Sequence, residues 1–229
     1  MKRAILRRLP ACIGLVGAVF LLSLAVPRSI SSITYELSTP VFENRDNPNI
    51  TQKQLHDTAH DLLRALSWVD NPVTWSRLGY IYAAIGRRQE TKPQQLEYFY
   101  QAEEAFTNAV KGSPSDPYYW LRLTYTRLLT GGAQDGSAAD ALKMSLLTGP
   151  YEKPIAIDQI YYATSVWDQL DDDQKKSVND KVRWIAKTNF HALVKKAKSN
   201  SPTMQLAITA LAEGDIQVFK KFIVALNKP

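Results

Sequence analysis

The residues whose types and spacing come nearest to a chemical site are two histidines four positions apart, His56 and His60. On a helix they would share one face, and such a pair can bind zinc. In the metalloprotease form of this motif a glutamate follows the first histidine, whereas Asp57 stands here and is one methylene shorter. The remaining histidine, His191, is far along the chain, so a third ligand is missing. We therefore interpret the pair as polar residues on a helix surface and expect no metal.

Other catalytic patterns are missing from the sequence. It contains no Gly-x-Ser-x-Gly, no phosphate-binding glycine loop and no dinucleotide-binding fingerprint. Carboxylates are adjacent at Glu103 and Glu104 and over residues 171–173, but neighbouring residues of a helix point in different directions. We expect no catalytic residues and no cofactor, and hence a protein that is not an enzyme. An envelope hydrolase of unrecognised type is the less favoured alternative.

Charge and cysteine content exclude two further classes of function. The chain of 229 residues has a formal net charge of +6, but residues 1–28 hold five basic residues and no acidic one, which leaves +1 for residues 29–229. A nucleic-acid-binding body needs a basic stripe on its folded surface, so we expect no nucleic acid partner. The single cysteine, Cys12, precedes the body, which therefore cannot form a disulfide or a zinc-thiolate site.

The N-terminal 28 residues indicate a membrane address. No charged residue interrupts the run of 18 residues from Leu9 to Val26. As a helix this run reaches about 27 Å, close to the ~30 Å hydrocarbon core of a bilayer. Five basic residues flank it: Lys2, Arg3, Arg7, Arg8 and Arg28. We predict a signal anchor over residues 1–28, with residues 9–26 in the membrane.

A cleaved signal peptide is the alternative for the same segment. Ser23-Leu24-Ala25 provides the small-x-small pattern that signal peptidases recognise. Both readings give the same sidedness, because the basic head stays in the cytoplasm by the positive-inside rule. We expect a single-pass protein of the bacterial inner membrane with its C-terminal domain in the periplasm, or a secreted protein if cleavage follows Ala25.

Residues 29–50 separate the membrane segment from the body. Pro40, Pro48 and three asparagines punctuate this stretch, and such residues favour turns and irregular structure. We predict an extended stalk over residues 29–50.

The body after Thr51 is predicted to be all-α. Thr51 with Gln54 three residues later is typical of a helix N-terminus, and apolar residues follow at helical spacing. Alternating strand patterns are absent from any sustained run. About 180 residues suffice for one substantial core.

A helical-repeat motif occurs in this body. Its first-helix part is complete: Trp75-x2-Leu78-Gly79-x2-Tyr82. Its second-helix part keeps the internal spacing but lies 11 residues later than usual: Ala102-x3-Phe106-x2-Ala109, then Pro114. This pattern resembles the tetratricopeptide repeat. The polar stretch 87–96, which contains Pro93, is predicted to be a longer loop between the two helices.

A second copy follows, with a two-residue insertion at Gly131-Gly132, and Leu142 precedes Pro150 by eight residues as Phe106 precedes Pro114. Its members occupy equivalent positions: Trp120, Leu123, Ala138-x3-Leu142-x2-Ser145 and Pro150. Thr124 stands where the repeat has glycine. The resemblance covers residues 72–152 and implies helical hairpins stacked in an α-α superhelix, in which small residues allow close approach and aromatic residues fill the gaps. We predict repeats over 51–152, and C-terminal helices over 153–229 that complete the stack.

Two short strings give a weaker resemblance. Residues 146–152 and 167–171 are similar to segments of membrane-anchored repeat proteins that accompany bacterial exopolysaccharide or O-antigen synthesis. This resemblance implies a setting in envelope polysaccharide assembly and no particular chemistry.

The resemblance to stacked hairpins implies a groove lined by first helices, at positions between the packing residues. Six residues hold such positions and are the candidate partner-binding residues: Arg77, Tyr80, Ile81, Ala84, Arg122 and Tyr125. The two arginines would pair with acidic groups. We therefore expect a membrane-tethered, exported scaffold that binds a protein or peptide partner. A glycan-contacting accessory factor is the alternative, because exposed aromatic residues also stack on sugar rings.

Overall fold

The fold is helical throughout the part of the chain that can be described. A computed structural model gives the backbone of residues 2–228 and the side chains of residues 14–228. Over residues 2–228 it contains 13 α-helices, one short 3-10 helix and no strand. The all-α prediction is therefore confirmed. The predictions on the basic head residues before Leu9 and on Cys12 concern side chains outside the described ones.

The helices follow one another with short connections. The first seven are α1 (Lys2–Leu37), α2 (Thr39–Glu43), α3 (Gln52–Trp68), α4 (Pro72–Arg87), α5 (Lys92–Gly112), α6 (Pro117–Thr130) and α7 (Gly132–Asp135). The remaining six are α8 (Ser137–Thr148), α9 (Lys153–Ser165), α10 (Asp172–Thr188), α11 (Phe190–Ser199), α12 (Ser201–Ala212) and α13 (Ile216–Leu226), with the 3-10 helix at Trp167–Gln169.

Helix α1 is long and apolar enough to cross a membrane or to act as a signal sequence. Its apolar part is Gly14–Leu37, of which an 18-residue stretch has a mean hydropathy of 1.6 and is only 6% buried within the protein. Large apolar side chains such as Leu15 and Phe20 lie more than half exposed. Such exposure is costly in water and favourable in lipid.

The prediction of an extended stalk over residues 29–50 is wrong. Helix α1 continues to Leu37 because the sequence between Ser29 and Leu37 contains neither proline nor glycine, and Pro40 lies in the first turn of α2, where its missing N–H is tolerated. Apolar side chains of this segment pack against the core formed by α3 and α4: Tyr35, Val41, Phe42 and Ile50.

The predicted helix start at Thr51 is confirmed, and α10 begins with the same type of cap. The Thr51 hydroxyl accepts a hydrogen bond from the backbone N–H of Gln54, and the Gln54 side chain accepts one from the backbone N–H of Thr51. Asp171 and Gln174 form the same reciprocal arrangement at the start of α10. Each box satisfies two N–H groups that a helix start otherwise leaves without partners.

The helices pack mainly on their neighbours in sequence. Helix α3 packs on α4, α4 on α5, α5 on α6, and α6 on α8. The packing continues through α9, α10 and α12 to α13, which contacts α11 and α12. The N-terminal helix and α13 therefore lie at opposite ends of this order of contacts.

The interface between α4 and α5 depends on a glycine opposite a phenylalanine. A Cβ atom at Gly79 would lie 2.8 Å from Cζ of the Phe106 ring, and Phe106 is 1% exposed. Ala102 and Ala109 on α5 are fully buried. The loop predicted over residues 87–96 is wrong, since α4 reaches Arg87 and α5 begins at Lys92; proline at position 93 fits the first turn of α5.

The connection between α8 and α9 is held by a buried lysine of α10. Lys181 is 2% exposed, and its ammonium group donates to the carbonyl oxygens of Gly149 and Pro150, at 3.0 and 2.7 Å. Burial lowers the pKa of Lys181 to about 8, although Glu152 opposes this shift. These carbonyls follow the last turn of α8, where cations are favoured.

We expect the free energy of unfolding to rise between pH 8 and 10.5 because of Lys181. The pKa of Lys181 is lower in the folded protein than in the unfolded chain, so in this interval the unfolded chain binds more protons than the folded protein. The free energy of unfolding therefore rises as the pH increases. The total contribution is up to about 3 kcal/mol, at 1.36 kcal/mol per pKa unit. Urea unfolding of the protein and of K181M at several pH values measures it. A constant difference between the two curves would contradict the prediction.

Candidate docking site

The six predicted groove residues divide into two sets. Arg77, Ile81 and Ala84 share one face of α4 and are buried, with exposures of 8%, 0% and 1%. Tyr80, on α4, and the α6 residues Arg122 and Tyr125 are half-buried and lie around a cavity. Arg77 contacts the chain's own N-terminal segment, which we define as residues 31–50. Ile81 and Ala84 belong to a core cluster with residues of α3, and apolar side chains of the N-terminal segment pack against this cluster.

Arg77 binds the N-terminal segment directly. Its Nη1 donates three hydrogen bonds of 2.8 Å, to the carbonyl oxygen of Tyr35 and to the hydroxyls of Ser38 and Thr39. The guanidinium carbon lies 3.5 Å from the centre of the Tyr35 ring and 4.6 Å from that of Phe42. Burial lowers the pKa of Arg77, although nearby Tyr35 and acidic residues oppose this effect. Arg77 therefore holds the end of α1 against α4.

A second arginine holds the other half of the N-terminal segment. Arg88, which follows the last residue of α4, donates to the carbonyl oxygens of Arg45 at 2.7 Å and of Asn47 at 3.0 Å, and also to that of Ile50. Backbone carbonyls of an irregular segment need such donors when water is excluded. The two arginines together fix residues 35–50 on α4.

The second set of predicted residues lines a cavity of about 310 Å³, which we call the arginine pocket. Its lining includes Tyr80, Arg122 and Tyr125 together with Arg45, Asp46 and Arg87. The pocket thus joins the N-terminal segment to α4 and α6. The sequence did not indicate the last three residues, because Arg45 and Asp46 lie in the segment interpreted as a stalk and Arg87 in the predicted loop.

Tyr80 is the fixed centre of the arginine pocket. Its ring packs edge-on against Phe42 at 5.7 Å and against Phe106 at 5.4 Å between ring centres. Its hydroxyl accepts a 2.6 Å hydrogen bond from Nε of Arg122. Burial opposes the charge of Arg122, but Tyr80 and Tyr162 more than offset this effect, so its pKa is raised. Arg122 is therefore a permanently charged group in a defined orientation.

Positive charge exceeds negative charge in the arginine pocket. Three guanidinium groups line it, from Arg45, Arg87 and Arg122, against the single carboxylate of Asp46. Arg87 pairs with Asp46 at 2.5 Å and also approaches the Tyr125 hydroxyl at 3.4 Å. Nε of Arg45 is buried and has no hydrogen-bond partner within hydrogen-bonding geometry among the described residues. This set of donors suits a carboxylate or another anionic group.

The histidine pair lies elsewhere, on α3. The His56 ring packs edge-on against Tyr98 at 5.7 Å between ring centres. Among the side chains of residues 14–228, no group of three or more His, Cys, Asp or Glu residues is placed to hold a metal ion.

Comparison with known proteins shows no relationship. No family model matches the chain, and neither a curated protein nor a solved structure matches it. The resemblance to tetratricopeptide repeats therefore depends on the residue spacing and on the contacts described above.

Proposed function

We propose that this protein is a membrane-tethered, exported helical-repeat scaffold that binds a protein or peptide partner. The repeat assignment is supported by the close approach of Gly79 to Phe106 and by the equivalent roles of two tryptophans. The Trp75 indole donates to Asp70 at 2.6 Å, and the Trp120 indole donates to the Pro114 carbonyl at 2.7 Å, so each ties the start of its helix to the preceding connection. These features support the assignment of tetratricopeptide-like hairpins.

The observation that carries the binding function is the charge of the arginine pocket. Tyr80 and Tyr125 supply aromatic surface, and the guanidinium groups outnumber the carboxylate three to one. A partner segment with an acidic side chain would replace water at Arg122 and Arg45 and gain charge-assisted hydrogen bonds. An acidic segment of a protein partner is therefore the ligand class that we assign to this pocket.

The tether contributes to affinity without any contact of its own. An anchor through α1 would confine the scaffold to the surface of the bacterial inner membrane, on the periplasmic side. The effective concentration toward a partner in the same membrane then rises, so modest affinity suffices. The setting that we propose is a membrane complex of envelope polysaccharide assembly.

Reversing the charge of Arg122 is expected to abolish partner capture from solubilised membranes. R122E places a carboxylate among the groups that would bind the acidic segment, and we expect capture to fall at least about tenfold. R64E is the matched control, since Arg64 is exposed on α3 and undergoes the same charge change. Quantitative mass spectrometry of the captured proteins compares both variants with the unmodified protein. Circular dichroism shows whether each variant is folded.

If R122E and R64E recovered the same proteins in equal amounts, the assignment of the partner site to the arginine pocket would be contradicted.

One observation favours the glycan alternative instead. Tyr151 is 71% exposed and packs edge-on against Trp184 at 5.6 Å beside a cavity of about 480 Å³, whose lining includes Lys176 and Arg183. Saturable quenching of tryptophan fluorescence by an acidic oligosaccharide, lost in Y151A and retained in R122E, would select that alternative.

A further inference from the structure

The last hairpin of the described chain carries a second surface, which we call the lysine cleft. It lies between α11 and α13 and encloses about 670 Å³. Apolar groups of Phe190, Val194 and Val224 line it, and lysines 198, 220 and 221 also border it. No carboxylate is among its lining residues. It is the most voluminous of the cavities described here, and the arginine pocket lies on other helices.

The lysine charges of this region are not neutralised within the described part of the protein. Residues 190–228 contain six lysines and two carboxylates. None of these six lysines forms an ion pair with a described residue. Both carboxylates serve other groups: Glu213 pairs with Arg183 at 3.5 Å, and Asp215 caps α13 by accepting from two backbone N–H groups. The cleft therefore presents a net positive field.

Apolar side chains are exposed beside these lysines. On α13 only Phe222 is fully buried, whereas Ile216 is 53% exposed and Val224 is 58% exposed. The Lys221 ammonium lies 4.5 Å from the centre of the Phe190 ring, so even the aromatic face is approached by a cation. Apolar groups surrounded by cations complement a surface in which apolar groups are surrounded by carboxylates.

We propose that the lysine cleft binds an amphipathic helix of a protein partner that carries carboxylates beside its apolar face. A helix fits because the cleft runs between two helices, and α13, with 11 residues, offers about 16 Å of contact at 1.5 Å per residue. The positive charge of the cleft favours a partner helix that carries acidic side chains. A second copy docked on the same face would bring lysines against lysines, which disfavours self-association there.

This surface goes beyond the function proposed above, because it lies at the other end of the packing order. The arginine pocket belongs to the N-terminal segment, α4 and α6, whereas α13 contacts α11 and α12. Two acidic ligands would bind at separate places, and the scaffold would bridge two partners or two parts of one partner.

A pair of designed peptides tests the proposal on the full chain in nanodiscs of zwitterionic lipid. One labelled peptide is an amphipathic helix of leucine and glutamate, and the other replaces each glutamate by lysine. We expect saturable binding of the glutamate peptide that weakens as salt increases, and no binding of the lysine peptide. K220E/K221E is expected to weaken binding at least about tenfold. R64E/K92E is the matched control, because both residues are exposed and, like the cleft lysines, neither forms an ion pair with a described residue.

Three results would overturn the proposal. They are no saturable binding of the glutamate peptide, equal binding of that peptide by K220E/K221E and the unmodified protein, and equal binding of the lysine and glutamate peptides.

A further variant separates a lipid surface from a protein partner. In C12S with Val224→Cys, a polarity-sensitive label on the new cysteine reports on the cleft. A label that becomes shielded on phosphatidylglycerol nanodiscs without peptide would assign the cleft to the membrane and reject the protein partner. All titrations are made in the R122E background, which removes the arginine pocket as a competing site for an acidic peptide, so failure here is distinguishable from failure of the arginine pocket.

Discussion

Replacing Arg77 by methionine is expected to lower the free energy of unfolding by about 3 kcal/mol and to release the end of α1 from the body. Methionine approximates the length of the aliphatic stem but removes all three hydrogen bonds to the Tyr35 carbonyl and to Ser38 and Thr39. It also removes the guanidinium group that lies 3.5 Å from the Tyr35 ring centre. Hydrogen bonds from a charged donor contribute about 1.5–3 kcal/mol, and the stacked contact adds to them.

Hydrogen exchange resolves where the release occurs. In R77M we expect faster exchange at residues 35–39, while residues 45–50 stay protected because Arg88 still donates to three of their carbonyls. R77K is the control: it keeps the charge but not the planar group, so it should give an intermediate loss. A global loss of stability with unchanged exchange at 35–39 would show that Arg77 supports the core rather than the N-terminal segment.

The covering of α4 changes where a partner can bind. The groove implied by the repeat resemblance would include Arg77, Ile81 and Ala84, but the N-terminal segment binds Arg77, and Ile81 and Ala84 are buried in a cluster with α3. An incoming segment would have to displace residues 35–50 or bind beside them. The arginine pocket lies beside them and is partly built by Arg45 and Asp46, so the segment contributes to the proposed site instead of only blocking it.

The helical body was predictable because its signals are local. The N-cap predicted at Thr51 depends on interactions within one turn, and α3 begins at the next residue, Gln52. The motif marked Gly79 as a position of close helix approach, but it did not predict that the Phe106 ring lies directly opposite.

The N-terminal segment was not predictable because its contacts are long-range. Tyr35 and Arg77 are separated by 42 positions, and no periodic pattern links them. Residues 29–37 are polar enough to suggest a linker, yet they continue a helix that was already formed, and adding a residue to a helix is easier than starting one. Arg77, Ile81 and Ala84 do lie on one face of α4, but that face is buried within the protein instead of lining an open groove.

Threonine at position 79 is expected to destabilise the protein by about 3 kcal/mol or more, the other large effect that we predict. A Cβ atom there would already lie 2.8–2.9 Å from three atoms of the Phe106 ring, and threonine adds two further heavy atoms. Phe106 is 1% exposed and its ring packs edge-on against Tyr80 at 5.4 Å between ring centres, so a shift of the ring disturbs Tyr80 as well. The gain in helix propensity over glycine, at most about 1 kcal/mol, is too small to compensate.

The second hairpin supplies the compensating change. At the position equivalent to Gly79 it has Thr124, and at the position equivalent to Phe106 it has Leu142; both are fully buried. F106L alone should cost about 1–2 kcal/mol through the cavity it leaves. G79T/F106L gives the first hairpin the residue pair of the second, so we expect it to be less destabilised than the sum of the single variants by at least about 1 kcal/mol. Urea unfolding of all four proteins measures this coupling, and strict additivity would mean that Gly79 and Phe106 do not share the space between α4 and α5.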